Sequence, residues 1–492
     1  MSKNISIIGS GFAGLSTACY LAQQGHRVNV YEKNEHLGGR ARVMKTDGYH
    51  FDMGPSWYWM PDVFDQFFES FGKKCSDYYE LKRLSPSYRV YFGENDILDI
   101  PSNYEDFRNM FETIELGAGH QLDLFLEEAA KKYKVGMNDL VHTPCLSIFE
   151  FVNKKIFSNI FSIDLFQSFS NHIKKYFTHP KLIRLLEFPV LFLGAMPEET
   201  PALYSMMNYA DIKLGTWYPM GGMGKIIDGM VTLAESLGVT FHTNAGVQKI
   251  SVGPSNKCEG IVVNDKLIQT DIVVSAADYH HTEMNLLEDK FKNYSEKYWD
   301  SRVLAPSSLL FYLGVNKKIN NLQHHNLFFD KPFSPHAIDI YKTPKWPEEP
   351  LFYVSCASKT DDSVAPEGKE NLFILIPIAP NLKDDEETRA IYFEKVLTRL
   401  EKLTGESIKD YIEYKKSFCV TEFKNEYNSY KGNAYGLANT LMQTAVLKPK
   451  IKNKKISNLY YAGQLTVPGP GIPPCLISGS IIATQIKKDL VK

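Results

Sequence analysis

Ser6-Ile7-Ile8-Gly9-Ser10-Gly11-Phe12-Ala13-Gly14-Leu15 is the stretch whose reading decides the fold. The apolar run Ile5 to Ile8 breaks at Gly9, and beyond Gly14 the residues Leu15, Ala18, Cys19, Leu21 and Ala22 recur at helical spacing, so the segment reads as strand, glycine turn, helix. Past Gly25 a second β-branched run, Val28 to Tyr31, ends in Glu32 and completes a βαβ unit. Gly9 permits the tight bend, Gly11 lets a pyrophosphate approach the backbone, and Gly14 lets helix and strand pack closely. Free N–H groups at the helix start, around Ala13, then face phosphates. Glu32, with Lys33 beside it, stands where a carboxylate accepts from both ribose hydroxyls of an adenosine and repels a 2′-phosphate. The unit predicts a bound dinucleotide.

The remaining chain is compatible with a large globular protein. At roughly 150 residues per domain, its 492 residues predict two or three domains. Its 55 basic and 57 acidic side chains leave a net charge of −2, which excludes a basic nucleic-acid surface and an acidic tail. Thirty Phe and 28 Tyr are many for this length and read as a core built on rings, an apolar cavity or a membrane-facing surface. The seven cysteines are scattered and never spaced Cys-x-x-Cys, so neither a disulfide framework nor a zinc site is expected. The opening residues lack the continuous apolar core of a secretory signal, and no window offers eighteen uninterrupted apolar residues; the expectation is a reducing, cytoplasmic chain with no spanning helix. There is no Ser-His-Asp spacing, Gly-x-Ser-x-Gly elbow or His-Glu-x-x-His. The pairs His280-His281 and His324-His325 are poorly placed for a shared metal, since neighbouring side chains point apart on a strand.

Soon after Glu32 comes Leu37-Gly38-Gly39-Arg40-Ala41-Arg42. Gly-x-Gly-x-x-Gly, Glu and then Gly-Gly-Arg resembles the N-terminal fingerprint of the FAD-dependent amine oxidase and carotenoid desaturase superfamily. The resemblance implies FAD, with Gly39 allowing close approach and Arg40 neutralising the pyrophosphate. It also implies that Phe51-Asp52-Met53-Gly54-Pro55-Ser56 passes beside the flavin, so Gly54 and Ser56 are expected to touch the cofactor; Trp57, Tyr58 and Trp59 behind them are cavity wall or ordinary core. The chain returns to this domain twice. Gly215 to Gly224 leads into an amphipathic helix and a strand, and in the resembling flavoproteins the residue matching Val247 holds the adenine through its backbone. Asp271 to Asp278 is a buried strand with small residues at its end, and Asp278 either meets the cofactor or caps the next helix. At the C-terminus, Gly463-Gln464-Leu465-Thr466-Val467-Pro468-Gly469-Pro470-Gly471-Ile472-Pro473 matches the carotenoid desaturase signature Gly-x-x-Thr-x-Pro-Gly-x-Gly-x-Pro. Gln464 stands where related flavoproteins often carry an acid and can donate to a ribityl or phosphate oxygen. Backbone at Gly471, Ile472 and Pro473 is expected against the pyrimidine end of the ring, with a row of donors at the start of the closing helix.

Likeness in Tyr353 to Ser355, Ala365 to Lys369, Leu372 to Pro377 and Gly432 to Gly436 extends the resemblance along nearly the whole chain, closest to bacterial phytoene desaturases. It implies an α/β fold: a Rossmann-like FAD-binding domain (1–75, 215–290 and 440–492), an inserted sheet-containing substrate domain (76–140 and 291–439) and a helical, membrane-contacting cap (141–214). It implies desaturation of a carotenoid of the phytoene type by hydride transfer to flavin, with oxygen or a quinone as electron acceptor; the residues name no proton acceptor. A flavin-dependent carotenoid isomerase, an amine oxidase and a nonenzymatic carotenoid or lipid carrier are the alternatives. About 40 carbons at roughly 0.8 kcal/mol each exceed the ceiling of about 18 to 21 kcal/mol on noncovalent affinity, so such a substrate must pass from bilayer to tunnel without crossing water. The expected location is therefore peripheral, on the inner face of the cell membrane. Residues 147 to 177, with Ile148, Phe149, Phe151, Phe157, Phe161, Phe166 and Phe169 among Lys154, Lys155, Lys174 and Lys175, read as an interfacial helix or a core helix. Leu185 to Gly194 reads as cavity wall, and Lys448 to Lys455 as a solvated loop or a lipid contact.

Overall fold

The structure is a computed structural model that describes residues 1–147, 150 and 167–491. Five parallel strands form its first sheet, in the order Leu459–Tyr461, Ile272–Ser275, Asn4–Ile8, Arg27–Tyr31, Thr240–His242. Ile5 lies opposite both Val28 and Ile272. The strands are short apolar runs because both faces are covered, as a parallel sheet requires. Ile5, Ile7, Val28, Val30 and Val274 face the helices Phe12–Gln23, Gly224–Ser236 and Ile472–Val491, whereas Ile8, Tyr31, Val273 and Leu459 pack under a three-stranded meander with Ile250 and Ile261. The helix Phe12–Gln23 crosses the closing helix at near backbone contact: a Cβ on Gly479 would come within 2.5 Å of Ser16 Oγ. The Ser16 hydroxyl donates to Leu476 O at 2.7 Å, and Gly463 N donates to Ser478 Oγ at 3.0 Å, so the C-terminal Ser-Gly pair fastens the last strand and helix to the first.

The second sheet has seven strands, in the order Ile412–Phe418, Ser307–Val315, Glu370–Ile378, Phe352–Ser355, His325–Phe328, Tyr88–Gly93, Asp96–Ile100. It is antiparallel except where His325–Phe328 runs parallel to Tyr88–Gly93. Period-two alternation sorts its residues. Leu309, Phe311, Leu372 and Ile374 pack beneath the helix Glu386–Thr404, and Leu310, Tyr312, Phe373 and Leu375 turn to the other core, on the side of the first domain. That helix is stopped at both ends by its own sequence: Asp385 accepts from Thr388 N at 3.0 Å, and Gly405 takes φ +70°. Two carboxylates accept from the glycine-rich turn that precedes the helix Gly224–Ser236. Buried from water in part by the strand it ends, Asp52 accepts from Met223 N and Gly224 N at 2.9 and 3.2 Å, and burial pushes its carboxyl up to about 6. Asp361 accepts from Gly221 N at 2.5 Å.

Helices Tyr104–Ile114 and Ala118–Val135 pack on each other, and Lys181 of the helix Pro180–Glu187 pairs with Asp96 on the edge strand of the second sheet. Most of the stretch read as an interfacial helix, residues 148–149 and 151–166, lies outside the described residues. Its C-terminal part is core: Phe169 and Ile173 are fully buried, and Phe177 meets Phe111 and Phe125 edge-on at 5.5 and 6.0 Å. Leu185, Leu186 and Phe188 are also core, and Phe188 lies behind the cavity wall against Trp57 and Trp59 rather than on its surface. Among the described residues no helix is long and apolar enough to cross a membrane.

Candidate functional site

The carboxyl ends of the parallel strands open on one cavity of about 660 Å³. This is where an open parallel sheet places ligands. The cavity is lined by Gly9, Gly11, Ala13, Glu32, Lys33, Gly39, Arg40, Gly54, Ser56, Val247, Gly463, Gln464, Gly471, Ile472 and Pro473. Of the residues predicted at the site, Gly14 alone does not line it. Its place is structural, because a Cβ there would strike the carbonyl oxygen of Gly9 and force helix and strand apart. Gly11, by contrast, has nothing within 4 Å on the side where a Cβ would stand, which leaves a slot at the helix start. Leu15 N closes the first helical turn on Gly11 O at 2.9 Å, so the N–H groups of Phe12, Ala13 and Gly14 have no carbonyl four residues back within the helix.

Glu32 is buried and oriented by its own turn: Oε2 accepts from Ser10 N and Ser10 Oγ at 3.1 and 2.7 Å, and Oε1 accepts from Asn34 N at 3.0 Å. Lys33 is held away from it, its Nζ donating to Asn425 O at 2.6 Å and Asn428 Oδ1 at 3.2 Å. Arg40 has the donor set of an anion site. Its guanidinium donates to Ser429 Oγ at 3.0 Å and lies over the Tyr427 ring, Nε has no partner, and among the described residues no carboxylate comes within ion-pair distance. Burial lowers its pKa, with Asp278 as the main opposing influence. Gly54 accommodates the same loop, since a Cβ there would come 2.7 Å from Arg40 O. A pyrophosphate between the slot at Gly11 and the guanidinium of Arg40 would supply the charge that this cradle lacks, so the residues present fit a dinucleotide.

Asp278 is a helix cap that also faces the cavity. It caps the helix Tyr279–Asn285 through His281 N at 3.1 Å, accepts from Tyr430 N at 3.2 Å, and lines the cavity. The donor row predicted at the closing helix is shorter than expected. Pro468, Pro470, Pro473 and Pro474 have no N–H, and Cys475 N is bonded to Gly471 O at 3.0 Å, which leaves Gly469, Gly471 and Ile472 to donate. Lys448 also departs from expectation: it is buried, donates to Asn439 Oδ1 at 3.0 Å, and its ammonium is pushed down to about 8 by burial. Three of the four paired histidines are likewise engaged by packing and hydrogen bonds. His280 stacks on Tyr430, His281 pairs with Asn285, and His324 pairs with Thr360 Oγ1.

Beyond the ring end the cavity changes character. Trp57, Trp59, Met60, Phe64, Met137, Val141, Tyr204, Met206, Met207, Leu310, Tyr353 and Leu375 line it there. Tyr58 is core, with its hydroxyl 3.0 Å from that of Tyr79. The indole wall is fixed from behind: Trp59 Nε1 donates to Thr216 Oγ1 at 2.8 Å, the Thr216 hydroxyl donates to Asp211 Oδ1 at 3.2 Å, and the Tyr88 hydroxyl donates to Asp211 Oδ2 at 2.9 Å. Asp211 is buried with neutral donors only, and burial pushes its carboxyl up to about 7. Sequence reading did not single out the methionines, Tyr204 or Leu310, which come from separate helices and one sheet face with no shared spacing. Tyr353 and Tyr435 lay in segments read only as strand and turn.

A dinucleotide cradle continuous with an apolar chamber defines an oxidoreductase that brings a cofactor to a nonpolar substrate. Comparison with known proteins narrows this class. The family model for flavin containing amine oxidoreductases matches residues 12–487. The chain is 42% identical over 492 residues to a carotenoid 3,4-desaturase of Haloarcula japonica, with 99% of each covered. It is 30% identical to a phytoene desaturase of Fusarium fujikuroi, with 99% of this chain and 90% of the other covered. Among solved structures, an oxidoreductase from Methanosarcina mazei superposes with a TM-score of 0.63 at 16% identity (98% of this chain, 99% of the other), and an engineered putrescine oxidase with 0.63 at 12% (99% of each). At these identities the two structures attest the fold. The chain belongs to the flavin-containing amine oxidoreductase family, and its cofactor is FAD.

Proposed function

We propose that the protein is an FAD-dependent carotenoid desaturase that converts a CH–CH single bond of a polyene into a double bond. The observation that carries this reading is the distribution of charge in the cavity. The carboxylates lining it, Glu32, Asp278 and Glu426, all belong to the dinucleotide end, and among the described residues the chamber beyond Ser56 offers rings, methionines and aliphatic side chains. An ammonium substrate would find no counter-ion there, whereas a hydrocarbon chain loses nothing on entering. FAD, when bound, supplies a two-electron oxidant; the protein's own residues hold it, exclude water and align the polyene. The relatives named above are desaturases of carotenoids, and the higher identity to the 3,4-desaturase favours 3,4-desaturation of a carotenoid over the phytoene substrate expected from sequence alone.

Membrane contact follows from the substrate, which has no route through water. Val303, Met442 and Leu447 are exposed large apolar side chains that line one groove with Arg302 and Lys450, a combination suited to the interface of a bilayer with anionic headgroups. We place the protein peripherally at the inner face of the cell membrane, with oxygen or a quinone reoxidising the flavin. The test is to incubate the FAD-loaded protein with liposomes containing phytoene or a fully conjugated acyclic carotenoid, and to follow absorption and product mass. Loss of a hydrogen pair supports desaturation, unchanged mass with altered geometry indicates isomerisation, and neither change indicates a carrier. Flotation with the liposomes tests the membrane contact, which fails if the protein stays at the bottom of the gradient at low salt.

A further inference from the structure

Desaturation removes two hydrogens from neighbouring carbons. One leaves with both electrons of its C–H bond to the oxidant, the flavin; the other leaves as a proton, and its C–H electrons become the new π bond. A base for that proton is needed. The carboxylates at the dinucleotide end are engaged elsewhere: Glu32 with Ser10 and Asn34, Asp278 with two backbone amides, and Glu426 with Arg42 at 2.9 Å. On the apolar side, two hydroxyls that line the cavity are bonded to each other, Tyr353 Oη donating to Ser56 Oγ at 3.0 Å. Directly behind them, Nδ1 of the fully buried His325 lies 2.6 Å from Tyr353 Oη. The imidazole stacks on Trp57 with centroids 4.1 Å apart and planes 11° from parallel, and its Nε2 has no hydrogen-bond partner among the described residues.

A buried imidazole with one nitrogen unsatisfied is costly where an apolar side chain would pack as well. The arrangement calls for a reason beyond packing. Burial and the neighbouring His324 hold the His325 pKa well below the usual histidine range, so the ring rests neutral and has a lone pair to offer.

We propose that Tyr353 accepts the proton leaving the substrate on its phenol oxygen while its own proton passes to Nδ1 of His325. With the ring hydrogen of neutral His325 on Nε2, the Tyr353 hydroxyl turns from Ser56 Oγ onto the Nδ1 lone pair and Ser56 becomes its donor; the C–H bond of the substrate then breaks as the new O–H bond forms, the original hydroxyl hydrogen passes to Nδ1, and the phenol emerges neutral. His325 is left as imidazolium. Its burial makes it a poor base toward water, yet a polyene that has lost a hydride is a far stronger acid, so the transfer runs downhill. The positive charge is balanced by the electrons delivered to the cofactor side of the same cavity. Tyr353 is thus the catalytic residue, and His325 the relay residue that acts through it.

This inference rests on the desaturase reading, and the experiment separates the two. FAD-loaded wild type and Tyr353→Phe are given carotenoid in anaerobic liposomes, and product is measured over a single turnover. The expected result is that Tyr353→Phe retains FAD and binds carotenoid as wild type does, yet forms product at least tenfold more slowly, a floor set below the cost of about 100-fold or more for a lost acid–base group. In deuterium oxide wild type is expected to slow while the variant shows no further loss, a signature that a packing role would not give. A second readout needs no turnover: in apo-protein labelled with ¹⁵N-histidine, the Nδ1 resonance of a hydrogen-bonded, non-titrating histidine should move in Tyr353→Phe. Product formation by Tyr353→Phe less than tenfold below wild type, or an unchanged histidine spectrum, overturns the relay and leaves the desaturase reading standing. If wild type itself forms no dehydrogenated product, the desaturase reading falls and the relay with it.

Discussion

At the end of the cavity bounded by Gly9, Gly11 and Gly39 the wall is main chain, whereas at the end bounded by Trp57, Trp59 and Met207 it is side chain. The two ends therefore answer differently to substitution. A main-chain wall is set by the close approach of two backbones, and a single added carbon can close it. A side-chain wall is set by volume and polarity, and one apolar group can stand in for another. The cofactor end should be brittle and selective, the substrate end tolerant of shape and intolerant of charge.

The sharpest way to break this contrast is Gly14→Ala. The added Cβ meets the carbonyl of Gly9, which cannot yield without moving the first strand, so a cost of about 3 kcal/mol is expected together with loss of FAD. Thermal unfolding and flavin content of the purified variant check it; a yellow variant of wild-type stability would show that the turn has slack. Next comes Arg40→Met, which keeps an unbranched apolar stem and removes the charge facing the slot. Loss of charge-assisted bonds worth about 3 kcal/mol should weaken FAD binding roughly 100-fold. Titration of apo-protein with FAD measures this directly, and affinity within threefold of wild type would move the pyrophosphate away from Arg40.

The same contrast governs what could be read before the structure. Recognition by main chain needs glycine at fixed intervals, so Gly9, Gly11, Gly14, Glu32 and Gly39-Arg40 announce themselves in a single chain. The closing signature does the same, although its three prolines, with Pro474 just beyond, leave fewer donors than a glycine-rich loop suggests. The substrate wall left no such trace. Its residues arrive from the loop after residue 54, from helices near 137 and 206 and from the strands at 310, 353 and 375, and each obeys only the local rule that an apolar residue faces inward. Lys448 was unreadable for a related reason. Lysine usually marks solvent, and only the approach of Asn439 and of the loop at Gly469 buries this one.

Met207 tests the substrate end. Met207→Leu keeps an apolar volume and should leave turnover within about threefold of wild type. Met207→Asp puts a carboxylate where nothing pairs with it and should lower carotenoid turnover by about tenfold or more. FAD content should be unchanged in both. Initial rates with liposomal substrate, alongside flavin content, decide the matter. Equal losses from Leu and Asp would mean that shape, not polarity, rules this wall.

The smallest effect on cofactor or turnover is expected from Asp211, which lies behind the wall and touches neither. Its folded carboxyl is pushed up to about 7, whereas in the unfolded chain it titrates near 3.9. Below about pH 4 both states carry the proton and the contribution is at its most favourable. As pH rises toward 7 the unfolded chain releases a proton that the folded chain retains, so stability falls by up to about 1.4 kcal/mol per pH unit. Above 7 both forms are ionised and the full cost of a buried carboxylate with only Tyr88 and Thr216 as donors is present. Asp211→Asn has no proton to lose. Its denaturation midpoint should therefore vary less between pH 5 and 8 than that of wild type, with FAD content and turnover preserved because Trp59 still bonds Thr216. Parallel midpoint curves for the two proteins would mean that Asp211 is ionised throughout, and that the wall is held by a charge rather than by a neutral network.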